Sequence, residues 1–323
     1  MIELLDLIAR WIHVIAGIMW VGNSMLFNWL DRSLRPRSES DSYGDIWLLH
    51  SGGFYLVEKN KGERVQGGLR LPNRLHWFKW QAYTTWMTGA LLLIVVYYAG
   101  GRALLVDPTV YQMTHTLAVV RAVGMLVAGF LLYELIWRTV GRRWPRIALG
   151  LSIILLVDMV VGANHFFAGR AAFVHIGALL GTIMAGNVMF TIIPSQRELV
   201  AALEQGREPS QTIADRAKTR SIHNNYITFP VIAFMVSAHF PVLYDGNGIS
   251  NAVALIVGGG LVRHFMNERF TQPSWWWKLA FSAAVTFVFL LMSTGTGPFH
   301  VVHHANNVFP GGPDSMRLPD SVS

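Results

Sequence analysis

The chain of 323 residues is 52% hydrophobic and only 14% charged, with a formal net charge of +7. An average soluble domain carries about 25% charged residues, so this composition excludes an ordinary soluble fold and points to a membrane protein. The lack of cysteine excludes disulfides, iron–sulfur clusters, thiolate ligands and haem attached through C-x-x-C-H, and leaves open non-covalent haem and imidazole-bound metals.

Crossing about 30 Å of hydrocarbon takes about 20 apolar residues, and eight such runs follow in chain order. The first, 5–30, comes after Glu3 and Asp6 rather than a basic segment and lacks a small-residue cleavage site, so it reads as a retained helix. In the aqueous insert 31–76 that follows, "GDIWLLHSGGFYLVEKNKGERVQGG" carries strand-like patches between glycines, which predicts a short hairpin under the bundle. Runs 77–99, 117–138, 147–168 and 171–193 come next. The segment 194–224 has helical spacing around Leu199 and Leu203 and predicts two short helices outside the membrane. Runs 225–244, 250–267 and 275–294 complete the set, and the Gly- and Pro-rich tail 295–323 is expected to be extended. Unpaired backbone groups are not tolerated in lipid, and these runs are too long for barrel strands. The expected fold is therefore all-α: an integral membrane bundle of about eight transmembrane helices over 1–294.

Charge sets the sidedness. Of 26 basic residues, eight fall in 31–76, four in 138–146, five in 194–224 and three in 263–278, all loops after odd-numbered runs. By the positive-inside bias those loops are cytoplasmic, and both termini face the periplasmic side of a bacterial inner membrane. The basic excess is topological, so the expected environment is a lipid bilayer and no nucleic-acid partner is expected.

This topology sorts the twelve histidines into two clusters. His13, His115, His165, His175 and His239 lie toward the outer side with His300, His303 and His304 of the tail; His50, His76, His223 and His264 lie toward the cytoplasm. Imidazole binds haem iron and other transition metals, and polar groups within spans commonly face the bundle interior. His13 sits ~12 Å into its helix at 1.5 Å per residue, and His175 also lies below the headgroups. His175 is followed at helical spacing by Ala178, Thr182 and Gly186, and His13 by Gly17, Trp20 and Ser24. Small side chains of this kind suit a flat ligand and suit ordinary helix packing equally. The candidate metal ligands are His13, His165, His175 and His239, with Arg121 and Arg170 as cations for a haem propionate or an anionic ligand.

On the cytoplasmic side, His76 and His264 are candidate ligands of a second haem. There the stretch "RSIHNNYITFPV" sets His223, Asn224 and Asn225 at the mouth of the sixth run. They read as a polar substrate vestibule or, for the asparagines, as a helix cap. Asp158, midway along the fourth run, is the costliest residue, because an unpaired carboxylate there costs on the order of 3 kcal/mol. Its candidate roles are proton acceptor, partner to a histidine ligand such as His165, or counter-ion to Arg121 or Arg10. The 13 methionines show no M-x-x-M cluster and read as core packing; the tryptophans, "SWWWK" among them, read as an interfacial belt.

The stretches "LLDLIARWIHVIAGIMWVGNS", "HSGGFYLVEK", "LHWFKWQAYTTWMTG", "GRAAFVHIGALLGTIMAGNVMFTIIPSQRELVAAL", "RSIHNNYITFPV" and "VRHFMN" together resemble the membrane domain of the bacterial membrane-bound urate oxidase family. The resemblance runs over about residues 1–270 and extends to the last helix. It implies hydroxylation of urate toward 5-hydroxyisourate, with electrons passed to cytochrome c and the respiratory chain and no hydrogen peroxide released. Combined with the histidines, it makes non-covalent haem b the expected cofactor, and Asp158, His223, Asn224 and Asn225 the catalytic candidates. The family's cytochrome c domain has no counterpart in these residues, so a separate cytochrome c, or another respiratory subunit on the periplasmic side, is the expected electron acceptor. Two alternatives stand beside this reading: a non-catalytic cytochrome-b-like haem or anchor subunit, and a transporter with Asp158 as its coupling acid.

Overall fold

A computed structural model describes residues 2–36, 42–60, 63–65, 68–70, 75–100 and 102–294. The predicted extended tail, with His300, His303 and His304, lies outside the described residues. In chain order the elements are helix α1 (Ile2–Ser33), strands β1 (Ser42–His50), β2 (Gly53–Asn60), β3 (Glu63–Val65) and β4 (Gly68–Arg70), then α2 (Trp80–Leu92), the short α3 (Arg102–Leu105), α4 (His115–Arg138) and α5 (Pro145–Phe166). The remaining helices are α6 (Gly169–Asn187), α7 (Ile193–Glu204), α8 (Gln211–Ser237), α9 (Gly248–Glu268) and α10 (Trp275–Ser293). Each predicted run coincides with a helix. Among the described residues six helices are long and apolar enough to cross a membrane: α1, α4, α5, the joined α6 and α7, α9 and α10.

The segment 194–224 departs from expectation. Its first half continues α6, and its second half is the start of α8, which begins at Gln211 rather than at 225. A π-helical segment explains how the run passes Pro194. Proline has no N–H to give the preceding turn, and the chain widens into a π-helical segment, Val188–Ile192, just before it, so the helix proceeds without a break. A second π segment, Leu93–Tyr98, ends α2.

Helix α6 is the hub, buried along nearly its whole length. Helices α2, α4, α5 and α8 pack around it, while α1 lies against α2, α9 against α8, and α10 against α9. In lipid, helices associate through close packing rather than hydrophobic burial, and the glycines serve that here. A Cβ at Gly177 would stand 2.8 Å from the Phe234 Cβ of α8, and one at Gly259 would stand 2.9 Å from the Pro230 ring. Gly186 receives the ring of Phe130 from α4.

The predicted hairpin is present. β1 and β2 pair antiparallel across a two-residue turn in which Ser51 (φ 52°) and Gly52 (φ 77°) both take the left-handed conformation that matches strand twist. Trp47, Leu49, Phe54 and Leu56 share one exposed face. The hairpin is tied back to α1 by Lys59, whose Nζ lies 2.7 Å from Asp31, and by the backbone pairing of Arg35 with Asp45.

Candidate functional site

The stretch "RSIHNNYITFPV" lies inside α8, whose N-cap position is Ser210, so Asn224 and Asn225 are not helix caps. A helix turns its side chains by about 100° per residue, and the polar run therefore fans out to three neighbours. Arg220 and His223 reach α4, Asn224 reaches α6, and Asn225 reaches α9.

Toward α4, the Tyr133 hydroxyl stands 2.7 Å from His223 Nδ1 and also meets Asn187 of α6 at 3.1–3.3 Å. Asn187 Nδ2 donates to Asn224 Oδ1 at 2.8 Å, and Asn224 Nδ2 donates to the Met184 carbonyl at 3.0 Å. The Trp137 ring lies 4.1 Å from that of His223. Glu134 accepts from Arg138 at 2.6 Å on one oxygen and from Arg220 at 2.8 Å on the other. Arg220 is 3% exposed, and its Nη1 is buried without a hydrogen-bond partner. Arg220, Glu134 and Trp137 form one wall of a cavity of about 670 Å³ whose other walls come from Phe190, Thr191 and Ser195 of the π segment and α7, and from Arg216 of α8. The cavity lies at the end of the bundle that carries the basic loops.

Toward α9, Asn225 Oδ1 accepts from Arg263 Nε at 3.1 Å and from Asn267 Nδ2 at 2.9 Å. His264 meets the Tyr226 hydroxyl at 2.8 Å and Glu268 at 3.3 Å. His76 does not join this group: it is exposed, and its ring contact is with Phe78, beside α1.

The opposite end is closed. His175 of α6 is fully buried; its Nδ1 is 2.7 Å from the Ala171 carbonyl and its Nε2 is 3.2 Å from the Tyr98 hydroxyl. The rings of Phe167, Tyr97 and Tyr98 surround it. His13 Nδ1 is held by the Thr85 carbonyl at 2.9 Å and the Thr88 hydroxyl at 3.1 Å, with the ring lying over Gly89. The small-residue stripes behind both are filled by protein: Phe130 on Gly186, Trp86 donating to Thr182, Thr85 against Gly17. His165 is exposed against Tyr111, and His239 is exposed at the end of α8. No group of three or more His, Asp or Glu side chains suited to a metal occurs among the described residues. With both His175 nitrogens engaged, the residues as arranged do not fit a haem held between His13 and His175.

The remaining candidates are also separate. The Arg121 guanidinium stacks on Phe166 at 4.4 Å and Tyr111 at 5.1 Å, and Arg10 pairs with Asp6 at 2.8 Å. Arg170 leaves its Nε buried and unpartnered near Tyr97. In the adjoining loop, burial raises the Tyr244 hydroxyl above its ordinary value against the opposing field of Arg170. Asp158 projects from the exposed face of α5 and has no hydrogen bond or ion pair among the described residues, so neither Arg121, Arg10 nor His165 is its partner.

These contacts sit on segments that coincide with a known domain. The family model for the urate oxidase N-terminal domain matches residues 1–294, a range that includes helices α1 to α10. The chain belongs to the urate oxidase N-terminal family. Neither a curated protein nor a solved structure matches it. Within this urate-oxidase-type membrane domain, sequence reasoning missed Tyr133, Glu134, Asn187, Arg220, Arg263 and Asn267. One signal was present: Glu134 in "LLYELIW" is an acid inside an apolar run, as costly there as Asp158. Arg220 and Arg263 had been absorbed into the loop charge that sets topology.

Proposed function

We propose that this chain oxidises urate at the cavity between α4, α7 and α8, on the cytoplasmic side of a bacterial inner membrane, with both termini outward. Urate is a flat anion edged by carbonyl and N–H groups. The observation that carries the reading is Arg220: it lines the cavity, and its guanidinium, stacked over Tyr133 and Trp137, keeps one buried nitrogen without a hydrogen-bond partner, which suits an anionic, oxygen-edged ligand. Trp137 and Phe190 give the cavity flat apolar walls for a heterocycle. Tyr133 and His223, directly behind Arg220, form a hydrogen-bonded pair able to carry a proton away from the substrate. Urate and water together give 5-hydroxyisourate, two protons and two electrons, and two molecules of a separate ferric cytochrome c accept the electrons, one each.

The test is the purified protein with urate and ferric cytochrome c. The expected result is loss of the urate absorbance with reduction of cytochrome c, no hydrogen peroxide, and loss of both signals in Arg220→Gln. Optical spectra of the same preparation, oxidised and dithionite-reduced, establish whether haem b is carried; a haem reduced by quinol but not by urate would select the anchor-subunit reading instead.

A further inference from the structure

A second basic cluster, not part of the urate cavity, is built where α1, α8 and α9 meet. Arg263 is only 4% exposed, and its Nε is fixed by Asn225 Oδ1 at 3.1 Å. Asn267 is fixed by the same oxygen at 2.9 Å, and its backbone carbonyl accepts from Arg32 Nη1 at 3.2 Å. Arg32 and Arg269 both lie over the Phe270 ring, at 5.9 and 4.5 Å, and the Arg263 guanidinium lies over Phe229 at 5.5 Å. None of these arginines pairs with a carboxylate among the described residues. Glu268, the nearest acid in sequence, is engaged by His264 at 3.3 Å and Lys278 at 3.6 Å. Three like charges held together, one of them buried, repel one another unless an anion lies among them.

We infer that Arg32, Arg263 and Arg269 form a binding site for a phosphate-class oxyanion. Arginine forks match phosphate geometry, and three guanidinium groups linked through Asn225, Asn267 and Phe270 favour a group with several charged oxygens. The surroundings fit a phospholipid headgroup, with free phosphate the other source of the same chemistry. The helices that carry the cluster, α1 and α9, each expose apolar side chains along their length, Leu26 on α1 and Val257 and Leu261 on α9 among them. Basic residues at the cytoplasmic surface attract anionic lipids generally; here the asparagine clamp on Arg263 adds a fixed geometry.

The experiment follows the unfolding midpoint of the delipidated protein in detergent, with no urate, so it stands apart from the catalytic reading. The probes are phosphatidylglycerol, phosphatidylcholine and inorganic phosphate. Phosphatidylglycerol alone raising the midpoint by about 5 °C at saturation assigns a lipid headgroup; inorganic phosphate producing the same rise assigns a free oxyanion. Either supports the site. Arg269→Gln and Arg32→Gln, both at exposed positions and so not needed for folding, should each raise the half-saturating concentration about tenfold; Arg263→Lys should weaken binding while preserving charge. The inference is overturned if phosphatidylcholine acts as well as phosphatidylglycerol, if no probe shifts the midpoint, or if both glutamine variants respond like the parent.

Discussion

Two histidines at opposite ends of the bundle, His175 fully buried and His223 half-buried, show how environment decides what an imidazole is for. His175 and His223 each meet a tyrosine hydroxyl, Tyr98 at 3.2 Å and Tyr133 at 2.7 Å. His175 has its other nitrogen on the Ala171 carbonyl and aromatic rings around it, so nothing is left over. His223 stands behind Arg220 and Trp137, which wall a cavity of about 670 Å³ and include a guanidinium end with no partner. Burial alone does not mark a site. What marks it is hydrogen-bonding capacity that the protein itself does not use, next to space.

The hardest test of this contrast is Arg220→Ala. The pair is almost fully buried, with side chains 4% and 11% exposed, so removing the arginine leaves Glu134 inside with only Arg138. A loss of about 3–5 kcal/mol in unfolding free energy is expected, along with urate turnover; Arg220→Lys should recover part of the stability and little of the turnover, because lysine offers a point charge in place of a fork. Next in size is His175→Ala. As a packed core group its removal should cost about 2–4 kcal/mol, while urate turnover per folded molecule stays near the parent value. If the variant instead keeps its stability and loses a haem band, His175 is a ligand and the closed end has been misread.

The contrast also explains what could be read from the sequence. The helical character of the apolar runs was legible because lipid leaves one solution for an apolar run of that length, six of the described helices being long and apolar enough to span, and the hairpin because Ser51 and Gly52 sit between two strand-like patches. The extent of α8 was not, since hydropathy stops at the membrane edge and the helix does not. Within the site, His223, Asn224 and Asn225 announced themselves by standing in an apolar context. Their partners did not: Tyr133 passes as an interfacial aromatic, and Arg220 as topological charge. Depth ranked His13 and His175 first, and depth says nothing about whether both ring nitrogens are already engaged.

A finer probe of the open end is Tyr133→Phe, which keeps the ring and removes the hydroxyl shared by His223 and Asn187. The lost hydrogen bonds should cost about 1–2 kcal/mol. If the pair carries a proton, turnover should fall about tenfold and shift its pH profile, whereas a packing role would change stability alone.

The smallest effect separates both ends from the middle. Asp158 lies on the exposed face of α5 among Ile154, Val157 and Val161, with no partner among the described residues. An exposed side chain with no polar partner among the described residues should change stability in detergent by less than about 0.5 kcal/mol when mutated, so Asp158→Asn is expected to leave both the unfolding midpoint and urate turnover where they were. The two measurements diverge if the sequence expectation of a catalytic acid is right. Turnover would then collapse at unchanged stability, and the proton would have to leave the substrate through the lipid-facing side of α5 rather than through Tyr133 and His223.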